Sequence, residues 1–91
     1  MSFELKMATF SVQREVRPDG GWRISSEELP GLILSSSDND YRHIAESIKS
    51  SAKWLAEHGG LSVEGVFSTD KPDRYVLMYR QPVHFAGRDT P

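Results

Sequence analysis

Cysteine is absent from this chain of 91 residues. That excludes disulfide staples and thiolate zinc sites, and it fits a reducing compartment. Long apolar runs are absent too: no stretch approaches the roughly 20 apolar residues that a membrane helix needs. The opening MSFELKMATF has neither a continuous apolar core nor a small-residue cleavage site. No secretory signal is read there, the cytoplasm is the expected location, and the first few residues are expected to be frayed or a start-site extension. Charge of one sign is also scarce. Eleven Lys and Arg against 13 Asp and Glu leave a net charge of -2, without the basic footprint that nucleic-acid binders carry in their bulk composition. Neither a membrane nor a nucleic acid is an expected partner.

What is present is ordinary globular material, 37% hydrophobic and 26% charged. This length supports one compact domain and is too short for two. A single domain over residues 1–91 is expected, with residues 82–91 as a loose tail, since PVHFAGRDTP carries two prolines and no periodicity.

From Lys6 to Val16 apolar Ala8, Phe10, Val12 and Val16 fall on even positions between polar ones. That period of two predicts a half-buried strand. RPDGG ends it: Pro18 suits the first central position of a type I turn, and Gly20 takes the left-handed conformation that tightens a hairpin. WRISS returns, with Trp22 and Ile24 on one face. Next comes EELPG, where Pro30 cannot donate to a ladder, Leu29 before it is pushed toward extension, and Gly31 permits a backbone shape other residues avoid. The chain is thereby re-aimed into a third strand, LILSS. SSDND supplies helix caps. Tyr41, Ile44, Ala45, Ile48, Ala52 and Leu55 then recur at spacings of three and four, the apolar stripe of an amphipathic helix. Gly59-Gly60 stops it as a left-handed cap. LSVEGVFST, the turn DKPD and RYVLMYRQ predict a closing hairpin. The fold class is α+β, in the order β-β-β-α-β-β: a three-stranded antiparallel meander, one helix on one face, then one or two further strands. A strand after the helix can return parallel beside the first.

Chemistry-bearing residues are sparse. His43, His58 and His84 have no metal-ligand spacing, and His58 suits the carbonyl end of a helix dipole. Ser25, Ser26, Ser35, Ser36 and Ser37 sit in no nucleophile pattern and are read as strand-edge and capping residues. Gly20-Gly21 and Gly59-Gly60 are accounted for by turn and cap. The strand and helix order is shared with the first half of the ribonuclease H fold, whose two-metal chemistry uses acids on strand and helix. Glu46 and Asp70 could be cast in those roles. The centre of the first strand, however, has no acid, and Glu15 lies at its far end. No catalytic residue, metal ligand or cofactor is expected.

Trp22, Trp54, Tyr75 and Tyr79 are the large aromatics of interest. Trp54 flanks the apolar stripe and is expected to close the core. Tyr75, Leu77 and Tyr79 share one face of the last strand while Val76 and Met78 share the other, so that strand wants cover on both sides.

Asp19-Gly20-Gly21, Glu28-Leu29-Pro30-Gly31, Asp38 and the helix that follows from about Asn39 to His58 stand in an order that resembles the HicB antitoxin family. The resemblance covers roughly residues 8 to 60. It implies the partial ribonuclease H-like fold, with Asp19, Gly20, Gly21, Leu29, Pro30, Gly31 and Asp38 as the structural motif. It further implies a non-enzymatic role: binding a small, basic HicA-type ribonuclease toxin by occlusion. Family members add a C-terminal helix-turn-helix or ribbon-helix-helix for DNA. Here residues 61–91 read as strands and a tail, so DNA binding is not expected. The expected partner surfaces are the exposed helix face, Arg42, Glu46, Lys49 and Lys53, and the last strand with Tyr75, Tyr79 and Arg80. Glu27 and Glu28 could meet a basic partner. A homo-oligomer, first of all a dimer, is expected; the alternatives are an orphan homo-oligomer, a degenerate nuclease or a nucleic-acid-binding module.

Overall fold

A computed structural model describes residues 2–37 and 40–82. The expected cap residue Asp38, the histidine His84 and nearly all of the expected tail lie outside the described residues. The fold is α+β. Among the described residues, six strands form two three-stranded antiparallel sheets, and one helix packs against them. The strands are β1 (Phe3–Ser11), β2 (Gln13–Val16), β3 (Trp22–Ser25), β4 (Ile33–Ser36), β5 (Ser62–Ser68) and β6 (Arg74–Pro82), and the helix α1 is Tyr41–His58.

The first expected strand is longer than its periodicity suggested, and it is shared between the sheets. β1 pairs with β6 from Phe3 opposite Pro82 to Ser11 opposite Arg74. One residue later β2 pairs with β3. The changeover is Val12, buried, with its amide donating to the Asp73 carbonyl at 2.9 Å. The N-terminal residues expected to fray are therefore strand, and Pro82, expected in the tail, is the last residue of β6.

The sheet orders are β1-β6-β5 and β2-β3-β4. The second is the expected meander. In the first, β5 does not return parallel beside β1. It folds back on β6, which takes the central place antiparallel to both neighbours. A hairpin joined by a short turn closes at a lower entropy cost than a strand reaching across the sheet.

The turns obey local stereochemistry. The Gly20 amide donates to Arg17 O at 2.9 Å, with Gly20 at a φ of 91°. At the far end of α1 the left-handed residue is Gly60, at 96°, and not Gly59. Leu61 N–H donates to Ala56 O and Gly60 N–H to Glu57 O, the paired bonds of a Schellman motif. Asp40 caps the start, accepting from the Arg42 amide at 3.0 Å.

Among the described side chains of α1, Ile44, Ile48, Ala52 and Ala56 are buried. They meet Phe10 and Val12, Ile24 and Leu32, and Tyr75 and Leu77 in one core, so the helix serves both sheets. Phe10 stacks on Tyr75 with ring centroids 5.5 Å apart. Arg14 ties the sheets from outside, its Nε 2.8 Å from Asp73 Oδ1 while its guanidinium lies 5.3 Å from the centroid of Trp22.

Candidate functional site

The Leu-Pro-Gly connection and the exposed flank of α1 build one surface. Leu29 turns its side chain to the core, and its carbonyl accepts from Leu32 N–H at 2.8 Å. Ser26, the one buried polar residue among those described, locks the connection. Its Oγ donates to Ser11 O at 2.7 Å and accepts from Leu29 N–H at 3.3 Å. Gly31 is not held at a positive φ, so its expected conformational role is corrected. Its need is steric, because a Cβ there would stand 2.9 Å from Leu55 Cδ2. Gly21 is needed for a similar reason, its missing side chain leaving room for the Ser36 carbonyl.

This close approach leaves a groove of about 410 Å³ lined by Gly31, Ile33, Leu34, Ser50, Trp54 and Leu55. Trp54 does not close the core. It is 56% exposed and stacks on His58 with centroids 3.6 Å apart. His58 in turn sets its Nδ1 3.2 Å from the Trp54 carbonyl. A large amphipathic ring is thus held at the surface in a fixed orientation.

Ser50 also lines a smaller depression of about 180 Å³, together with Glu46, Lys49, Lys53 and Val66. The structure therefore brings together three of the four expected helix-face residues, with Lys49 Nζ 2.8 Å from Glu46 Oε1. Arg42 stands apart, a turn or more away. Its Nε and Nη2 bond the two carboxylate oxygens of Asp40 at 3.2 and 3.0 Å, and this engagement holds the Asp40 pKa below its ordinary value. Glu27 and Glu28 are exposed on the same connection as Gly31.

The expected residues of the last strand separate. Tyr75 is 1% exposed and belongs to the core, which removes it from any partner surface. Tyr79 is half-buried against that core. Arg80 is exposed on the opposite face and paired with Glu64. On that opposite face Phe3, Leu5, Glu64, Phe67, Met78 and Arg80 line a further depression of about 390 Å³.

Among the described residues no group of three or more His, Asp or Glu could hold a metal ion, and no helix is long and apolar enough to cross a membrane. Periodicity missed the exposure of Trp54 and the lock at Ser26. The spacing of Trp54 and His58 by four, which places two rings on one helix flank, was the available signal for the first. Comparison with family models, curated proteins and solved structures finds no match to this chain.

Proposed function

We propose that this chain is a non-enzymatic protein-interaction module of HicB-like type, whose groove between α1 and the Leu-Pro-Gly connection receives a protein partner. The partner implied by the resemblance is a small, basic HicA-like ribonuclease, covered rather than cleaved, which makes the chain an antitoxin. Trp54 carries the reading. A tryptophan held over an apolar groove offers the large, low-entropy contact that dominates protein interfaces. Charged side chains flank it: Glu46, Lys49 and Lys53 on the helix, Glu27 and Glu28 on the connection. Such a rim steers and orients a partner more than it adds affinity.

The test is capture of the tagged protein's partners from its host, with and without ribonuclease treatment, followed by RNA cleavage assays on a captured small basic protein. Wild-type protein is expected to block that cleavage, and Trp54→Ala to lose the block at least tenfold while melting unchanged. RNA hydrolysis by the chain itself, metal-dependent and abolished by Glu46→Gln, would replace this reading with a nuclease.

A further inference from the structure

β1 is the outer strand of its sheet, and among the described residues no strand pairs with its second edge. The direction of that edge follows from two bonds. The Val12 amide reaches Asp73 on the β6 side, whereas the Ser11 carbonyl points the other way, to Ser26. In a pleated strand successive residues alternate in direction. Even-numbered residues of β1 thus spend their backbone groups on β6, and Phe3, Leu5, Met7 and Thr9 direct theirs to the open edge. The side chains alternate as well. Phe10 faces the helix, so Phe3, Leu5 and Met7 project from the opposite face, 55%, 54% and 71% exposed. A long, open, apolar edge is a template for pairing with another strand.

We infer that this edge pairs with the same edge of a second copy of the chain, antiparallel about a two-fold axis at Leu5. The charges select both the occupant and the register. Glu4 and Lys6 flank Leu5 on the helix-side face, with Lys6 Nζ 3.1 Å from Glu4 Oε1. Centring the axis on Leu5 sets each Glu4 opposite a Lys6 of the other copy, twice over. Phe3 and Met7 then face one another across the other side of the sheet. Moving the axis one residue either way, a two-residue slip of the pairing, places Glu4 against Glu4, or Lys6 against Lys6, and like charges directly opposite are destabilising. The chosen register also makes Leu5 face Leu5 as a hydrogen-bonded pair, which the outward direction of its backbone groups requires. The product is a continuous six-stranded sheet, β5-β6-β1 joined to its symmetry mate. An isologous contact of this kind closes at two copies. Its short paired length puts it among weak interfaces, so the dimer is concentration-dependent. It extends the interaction-module reading to self-association, on a surface separate from the groove at Trp54.

Sedimentation of the full chain across a micromolar-to-millimolar series tests this. Wild type is expected to pass from monomer to dimer. Lys6→Glu and Glu4→Lys each create two like-charge pairs and are expected to weaken dimerisation about tenfold. Two results separate pairing from general charge effects: the double swap E4K/K6E is expected to restore wild-type affinity, and an equimolar mixture of the two single variants to form a heterodimer. Both positions lie away from the core, and circular dichroism melts verify that the variants fold. A chain monomeric throughout the series, or a dimer indifferent to the single reversals, would overturn the inference and leave this edge to a different protein. Neither result depends on capture at Trp54.

Discussion

Gly31 and Leu55 touch so closely that the smallest side chain at position 31 would overlap the leucine, at 2.9 Å from Cδ2. This contact seats the Leu-Pro-Gly connection against the helix and sets the floor of the groove under Trp54. Gly31→Ala is expected to cost about 1 kcal/mol, the low end for overpacking, because a leucine tip can rotate aside. Gly21→Ala drives a methyl into the Ser36 carbonyl oxygen. Backbone cannot rotate aside, so about 3 kcal/mol is expected there. Urea unfolding of the two variants orders them, and equal costs would contradict the packing described.

Ser26 joins the end of β3 to the end of β1 and to the Leu-Pro-Gly connection through a single oxygen. Ser26→Ala leaves the Ser11 carbonyl and the Leu29 amide short of a partner in a half-buried place. The expected loss is about 1–3 kcal/mol. Ser26→Thr, which keeps the hydroxyl, should retain part of it. Chemical denaturation of both variants checks this, together with faster amide exchange at Leu29 in the alanine variant alone.

How much of this was legible beforehand depends on what each pattern encodes. Alternation from Lys6 to Val16 marks an extended chain whichever sheet it joins, so it carries no sign of the changeover at Val12. That event depends on Asp73, 61 positions away in the sequence. The same limit applies to Tyr75 and Met78. A strand apolar on both faces says that cover is wanted, while the placement of the helix decides that Tyr75 is covered and Phe3, Leu5 and Met7 are not. Helix and turns were legible because caps, glycines and prolines act on their neighbours. The stripe at spacings of three and four located Ile44, Ile48 and Ala52 correctly, and it overlooked Ala56. Trp54 lies on the border of that stripe, where periodicity cannot decide between core and surface.

Arg14 and Asp73 couple the two sheets through a two-pronged ion pair, with Nη2 to Oδ2 at 3.3 Å beside the Nε contact. Both side chains remain partly open to water. A double-mutant cycle through Arg14→Met and Asp73→Asn is expected to give a coupling of about 0.5–1 kcal/mol that shrinks in high salt. A coupling unchanged by salt would show that hydrogen bonding outweighs charge in this pair. Trp22 supplies an independent check, since Trp22→Leu removes the ring facing the guanidinium and should lower the Arg14 contribution without touching Asp73.

Asp40 gives the molecule an acid-side sensitivity whose sign follows from its partners. The Arg42 guanidinium, then the Arg42 amide, and then His43 favour the carboxylate and outweigh desolvation, so its pKa in the folded chain lies below the unfolded value. A depressed carboxylate stabilises the fold fully above its unfolded value, and that contribution is lost as pH falls through the folded one. Asp40→Asn keeps a side-chain acceptor for the cap while removing the charge. The stability difference between wild type and Asp40→Asn should therefore be flat on the alkaline side of neutral, where the aspartate is ionised in both states and a histidine beside it carries no charge. It should decline in acid as protonation makes the wild-type side chain neutral as well. Denaturant titrations at stepped pH measure it, followed by helix circular dichroism. A difference that persisted unchanged into strong acid would mean that Asp40 acts through cap geometry alone, with no part played by its charge or by Arg42.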